Sequence, residues 1–188
     1  MIFDASLCLD ENSALEICQL RVDAIEVINA YTQMKKEALK TNPEIWALDD
    51  LTALEEIEKE ADKYFRQALF VESINNFNLG IEASSDIIKK ASIFLAQNLD
   101  GGFQSLLAKN SLDAESFFKK ALVIDPFNLE AINGLNRALV LDKVLNNLRE
   151  AELLISVDSL DEAKSLIDEA YELDNQYFEI DKIKLNII

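Results

Sequence analysis

The sequence predicts an all-α protein, and three observations carry that expectation. Four Gly and two Pro in 188 residues fall far below the average share of about 12%, so the many turns of a sandwich or barrel are missing. Apolar residues recur at helical spacing through the chain, and no run alternates with the period of a strand. The few breaks that exist carry helix-terminus chemistry: Asn42-Pro43-Glu44, Asp125-Pro126 and Asp174-Asn175.

Taken in order, the first helix spans residues 12–40, with Cys18, Val22, Ile25, Ile28, Tyr31 and Met34 on an apolar stripe. Asn42 as N-cap, Pro43 at the first position and Glu44 in the first turn restart a helix that runs to about Leu69. A shorter helix covers Val71 to Ala83 and ends at Ser84-Ser85-Asp86, whose side chains compete for backbone hydrogen bonds. A fourth runs from Asp86 to Ala108 across Gly101-Gly102, and a fifth from Leu112 to Ile124 must stop before Pro126. The sixth spans Asn128 to about Ser156, the seventh Leu160 to Leu173, and the eighth Gln176 to Asn186.

Composition narrows function. With no His anywhere, the commonest general base and metal ligand are missing, and Ser-His-Asp or Cys-His arrangements cannot form. The sequence contains no phosphate-binding Gly-rich loop, and 158-DSLDE-162 lacks the glycine and ligand spacing of a calcium loop. No catalytic residue, metal or cofactor is therefore expected. A net charge of −17 argues against nucleic acid and anionic membranes. No run approaches the roughly 18 apolar residues of a membrane span, and the first residues lack the basic start of a signal peptide, so no membrane insertion is expected. Cys8 and Cys18 form no CxxC pair, and Cys18 is expected to pack in the core.

Three segments repeat a pattern of small and large residues. The first has Ala61, Tyr64, Phe70, Ser73, Phe77 and Gly80. The second has Gly102, Ala114, Phe118, Ala121 and Asp125-Pro126. The third has Ala151, Leu154, Leu160, Ala163, Ile167, Ala170 and Asp174-Asn175. In each, twelve residues separate the first small residue from the second, four more reach the large one and three more the last small one. Helices approach closely only where both present small side chains, and a large neighbour fills the groove beside them.

This spacing resembles the tetratricopeptide repeat, which ends in A-x3-F and a later Pro. The segment LDAESFFKKALVIDPFN matches well, and SLDEAKSLIDEAYELDN has Asn175 where Pro is expected. The family's Trp is missing from all three, and Ser105 replaces its Tyr in the second. The resemblance implies a helical-hairpin solenoid occupying the single domain 1–188, with a tail and covering helix in 1–42. Repeats follow at 43–87, 88–128 and 129–178, and 179–188 ends the C-terminal helix. Ser73 to Ala114 is 41 residues and Ala114 to Ala163 is 49, against a family period of about 34. The surplus falls before the first helix of each later unit, so these helices are lengthened, and helix 12–40 is the natural cover for the extensions.

The resemblance also implies a concave face that binds an extended or helical peptide. Carried over by position, that face holds Glu55, Glu58, Asp62, Phe65 and Arg66 in the first unit, Phe103, Leu106 and Leu107 in the second, and Leu148, Glu152 and Ile155 in the third. Members that clamp a C-terminal carboxylate use Lys, Asn and Arg there. Glu58 and Asp62 stand at such positions here, so a basic or amphipathic protein or peptide is the expected partner. The other open class is a structural or oligomerising segment of a larger protein, membrane-tethered or not, with its groove filled internally. Trp46 is expected to pack on the first helix.

Overall fold

The computed structural model describes residues 12–184, and helices make up 87% of them. No strand occurs among the described residues. Cys8, the rest of the N-terminal tail, and the last turn expected of the C-terminal helix lie outside them. The chain forms two compact units that divide between Ile93 and Phe94.

The first unit contains α1 (Asn12–Leu39), α2 (Pro43–Trp46), α3 (Leu48–Arg66) and the first part of α4 (Phe70–Leu107). α1 turns Ala24, Tyr31 and Ala38 inward at seven-residue spacing, two helical turns apart. Tyr31 lies 5.2 Å from Phe77, centroid to centroid. It rests on Gly80, where a Cβ would come 2.8 Å from its ring. Ser73 donates its hydroxyl to the Ala61 carbonyl at 3.1 Å, so α3 and α4 meet through their small residues. Trp46 packs against the cluster of Tyr31, Ala38, Leu54 and Phe77 and donates its indole N–H to the Thr41 carbonyl at 2.7 Å.

Several expectations for this unit are corrected. The helix that starts at Pro43 is interrupted at Ala47, whose φ of −140° and ψ of 43° leave the helical region. Asn42 adopts a left-handed conformation (φ 53°, ψ 50°) and makes no side-chain cap hydrogen bond. Ser84-Ser85-Asp86 does not end a helix: Ser84 is buried and donates to the Gly80 carbonyl one turn back at 2.8 Å. Its hydroxyl is thereby satisfied within α4, which continues unbroken. Cys18 also differs from the expected core residue; it is half-buried.

The second unit contains the remainder of α4, then α5 (Ser111–Ile124), α6 (Leu129–Ser156), α7 (Leu160–Leu173) and α8 (Glu179–Lys184). Asn110 caps α5 by accepting from the Asp113 N–H at 3.1 Å, and Asn128 caps α6 by accepting from Ala131 at 3.0 Å. α5 ends at Asp125 (φ −134°, ψ 94°) and α7 at Asp174 (φ −149°, ψ 92°). Each carboxylate accepts from the N–H two residues on, Phe127 at 3.1 Å and Gln176 at 3.0 Å. These are Asx turns, and Pro126 adds its bias toward extended backbone at Asp125. The core gathers Leu106, Ala114, Phe118, Ala138, Leu141, Val144, Ala151, Ala163, Ile167 and Ala170. Both glycines of Gly101-Gly102 lie within α4 beneath aromatic rings, Phe117 over the first and Phe118 over the second.

One turn geometry occurs three times. Ala68, Lys109 and Asp158 adopt φ of 60°, 60° and 64°. The following N–H donates five residues back: Leu69 to Tyr64 at 3.0 Å, Asn110 to Ser105 at 2.9 Å, Ser159 to Leu154 at 2.9 Å. This is the Schellman closure of a helix. Each left-handed residue stands seven after Ala61, Gly102 or Ala151 and five before Ser73, Ala114 or Ala163.

Candidate partner-binding surfaces

In the first unit, α3 places Glu55, Glu58 and Asp62 on one face, at the i, i+3, i+7 spacing of a helix. Glu55 is exposed. Glu58 accepts a charge-assisted hydrogen bond from Lys35 on α1, and Asp62 pairs with exposed Arg66 at 3.5 Å. Phe65 is half-buried, edge-on to Phe70 with centroids 5.4 Å apart. The phenol of Tyr31 lies within the field of the three carboxylates. Its burial first, then the charges of Glu58, Asp62 and Glu55, push its pKa above the ordinary tyrosine value. The buried hydroxyl lies beside the Glu58 carboxylate without a well-formed hydrogen bond to it. α1 therefore occupies part of the face expected to be open.

In the second unit, Phe103, Leu106 and Leu107 do come together, near the end of α4. With Arg137 of α6 and the adjacent Tyr177 and Phe178 they line a cavity of about 160 Å³, the scale of one large side chain. Leu106 and Tyr177 are buried, whereas Leu107 and Phe178 are each 59% exposed at its rim. The half-buried Arg137 donates from Nε to the buried Asp174 carboxylate at 2.8 Å. Lys109 bonds Glu179 at 2.9 Å, and the Tyr177 hydroxyl donates to the same carboxylate at 3.1 Å. The Lys109 hydrogen bond is the main reason the Glu179 carboxyl titrates below its ordinary value. Burial, then Glu179, holds the Tyr177 phenol above its own. These contacts tie α8 to the end of α4 and keep the cavity walls in place.

Leu148, Glu152 and Ile155 are not among the cavity's lining residues. Leu148 is buried in the core, Ile155 is packed against it, and Glu152 is exposed. The cavity's other members, Arg137, Tyr177 and Phe178, were not singled out by spacing. Their signals were faint: one cation in the apolar stretch AINGLNRALVL, and an aromatic pair just after the Asp174 turn.

Among the described residues no group of acids and cysteines is arranged to hold a metal ion, and no helix is long and apolar enough to cross a membrane. No family model, curated protein or solved structure matches the chain.

Proposed function

We propose that this chain is a non-enzymatic protein-interaction module, built from tetratricopeptide-like helical hairpins and binding a peptide or partner protein. The thrice-repeated turn, in register with the small residues of each hairpin, supports the repeat reading. The cavity of the second unit carries the binding reading. Its walls are aromatic and aliphatic, its one cation is already paired with Asp174, and two large apolar side chains stand exposed at its mouth. Such a site takes an apolar side chain from a partner. Leu107→Ser with Phe178→Ser removes the mouth without touching a buried residue. Affinity capture from the native cell extract, followed by mass spectrometry, should recover proteins with the wild type that this variant loses. Identical recovery with both would refute the assignment.

A structural role with the groove filled from within draws support from the first unit, where Lys35 and Tyr31 of α1 occupy the acidic face of α3. That reading expects the molar mass measured by light scattering to rise with concentration, equally in wild type and variant.

A further inference from the structure

We propose that the outer face of α1 is a self-association surface, on which a second copy of this chain lays its own α1 in parallel. The proposal goes beyond both readings above and uses a surface separate from the cavity. α1 is apolar on two opposite faces. One packs on the unit's own core through Ala24, Val27, Tyr31 and Ala38. The other holds Leu15, Val22 and Ile25, which are 65%, 50% and 40% exposed, with the half-buried Cys18 between them. At 100° per residue the two sets point about 170° apart. The outer spacing of three, four and three residues is that of a two-helix seam over two heptads. Outside α1, the exposed large apolar side chains among the described residues stand at helix ends and turns, except Leu79, Ile93 and Leu139. Each of those three has no other within one helical turn.

Charge selects the occupant and its direction. A chain of net charge −17 repels its own copies, yet residues 12–40 hold four acids and four bases, so the rest of the chain carries all of that excess. In a parallel seam Arg21 and Glu26 take the two flanking positions that face each other across the helices, giving one Arg21–Glu26 pair on each side. An antiparallel seam, with Leu15 against Ile25, would set Arg21 against its own copy. Asn29, exposed, stands at the next seam position after Val22, and a single Asn there favours two strands in one register. Lys36 follows one heptad later, and facing lysines end the contact. The result is a self-complementary two-fold interface. Each copy's α3 and α4 lie against the inner face of α1, clear of the seam. Two heptads bury less than the roughly 800 Å² per partner of a standard interface, so the dimer is transient, with a dissociation constant of about 10–100 µM.

The test is sedimentation equilibrium of the full chain from about 5 to 500 µM, a range that brackets the expected constant. The mass should rise with concentration and level off at two copies. Val22→Ser with Ile25→Ser, both at exposed positions, should raise the dissociation constant by about tenfold or more. Arg21→Glu should weaken the dimer by about tenfold. Glu26→Arg should also weaken it, although this change lowers the net negative charge that keeps copies apart. Arg21→Glu with Glu26→Arg should restore wild-type association, because the pairs re-form with their signs exchanged. Leu107→Ser with Phe178→Ser should leave the dimer intact. Tighter association of Glu26→Arg, or no rescue in the double exchange, would overturn the parallel seam. Loss confined to Leu107→Ser with Phe178→Ser would move self-association to the cavity and overturn the proposal. A wild type that stays monomeric at 500 µM would overturn it as well. Dimers that then form on deletion of residues 2–11 would assign the outer face to the chain's own first residues. The capture experiment judges the interaction reading separately.

Discussion

Gly134→Ala sets helix propensity against packing at one atom. Gly134 is buried in the second turn of α6, and a Cβ there would come 2.7 Å from Cε2 of Phe118 and closer still to Cε1 and Cζ. Carbon atoms pack at about 3.5–4.0 Å, so the ring would have to retreat by roughly an ångström. It has no room to do so. Phe118 is fully buried, a Cβ on Gly102 would sit 2.6 Å from the same ring, and Phe103 meets it edge-on at 5.1 Å. Overpacking of this kind costs about 1–3 kcal/mol, and the exchange of Gly for Ala in a helix returns about 1 kcal/mol. A net loss of about 1–2 kcal/mol is expected, read from urea unfolding followed by circular dichroism at 222 nm. Phe118→Leu destabilises alone by emptying the space, but in the double variant the added methyl enters that space. The two changes should therefore couple favourably by about 1–2 kcal/mol. A single Gly134→Ala variant more stable than wild type, or strictly additive changes, would refute this account of the second core.

Two further outcomes follow from backbone strain and burial. Ala68→Gly and Asp158→Gly should each stabilise by up to about 1 kcal/mol in thermal or urea unfolding, because both residues hold positive φ. Gln67→Gly, next to Ala68 but with φ −87°, should destabilise instead. Tyr31→Phe removes a buried hydroxyl that makes no well-formed hydrogen bond and should change stability little at pH 7. In the native state the Tyr31 and Tyr177 phenols titrate above their ordinary value, so the unfolded chain gives up these protons first. These two groups thus leave stability unchanged below about pH 10, and above it each lowers stability by up to about 1.4 kcal/mol per pH unit. Tyr31→Phe should flatten that fall, and an unchanged alkaline slope would contradict the burial assigned to the ring.

Features set within a few residues were legible in the sequence. Leu160 to Leu173 is a helix with those ends, and α5 stops where the residue before Pro126 must leave the helical region. Features decided by tertiary neighbours were not. The hydroxyl of Ser84 can break a helix or bond back into it, and its burial beside the Gly80 carbonyl selects the second. Ala47 carries no signal of its own; the interruption accompanies the indole of Trp46 reaching back to Thr41. The candidate site divides the same way. Phe103, Leu106 and Leu107 are neighbours in sequence and share the cavity, whereas Arg137 and Tyr177 reach it from α6 and the α7–α8 turn. The acidic face of α3 was readable as a face, but the helix lying on it depends on Lys35 and Tyr31, more than 20 residues earlier.

The three left-handed turn residues show which of these levels governs the hairpins. A turn written by local preference would carry Gly or Asn at the left-handed position. Here Ala, Lys and Asp hold it, two of them with no special tolerance for positive φ. What the three turns share is the spacing to Ala61, Gly102 and Ala151 before them and to Ser73, Ala114 and Ala163 after. Close approach between helices at these buried small residues, seen directly where Ser73 bonds the Ala61 carbonyl, therefore imposes the turn, and the strained residue follows. Because the turn residue is not selected for its backbone, its side chain can differ from one hairpin to the next. Lys109 is bound to Glu179 and helps to hold α8, whereas Asp158 stands without an ion pair among four other unpaired acids. One backbone geometry thus closes the fold at the α4–α5 turn and leaves charge exposed at the α6–α7 turn.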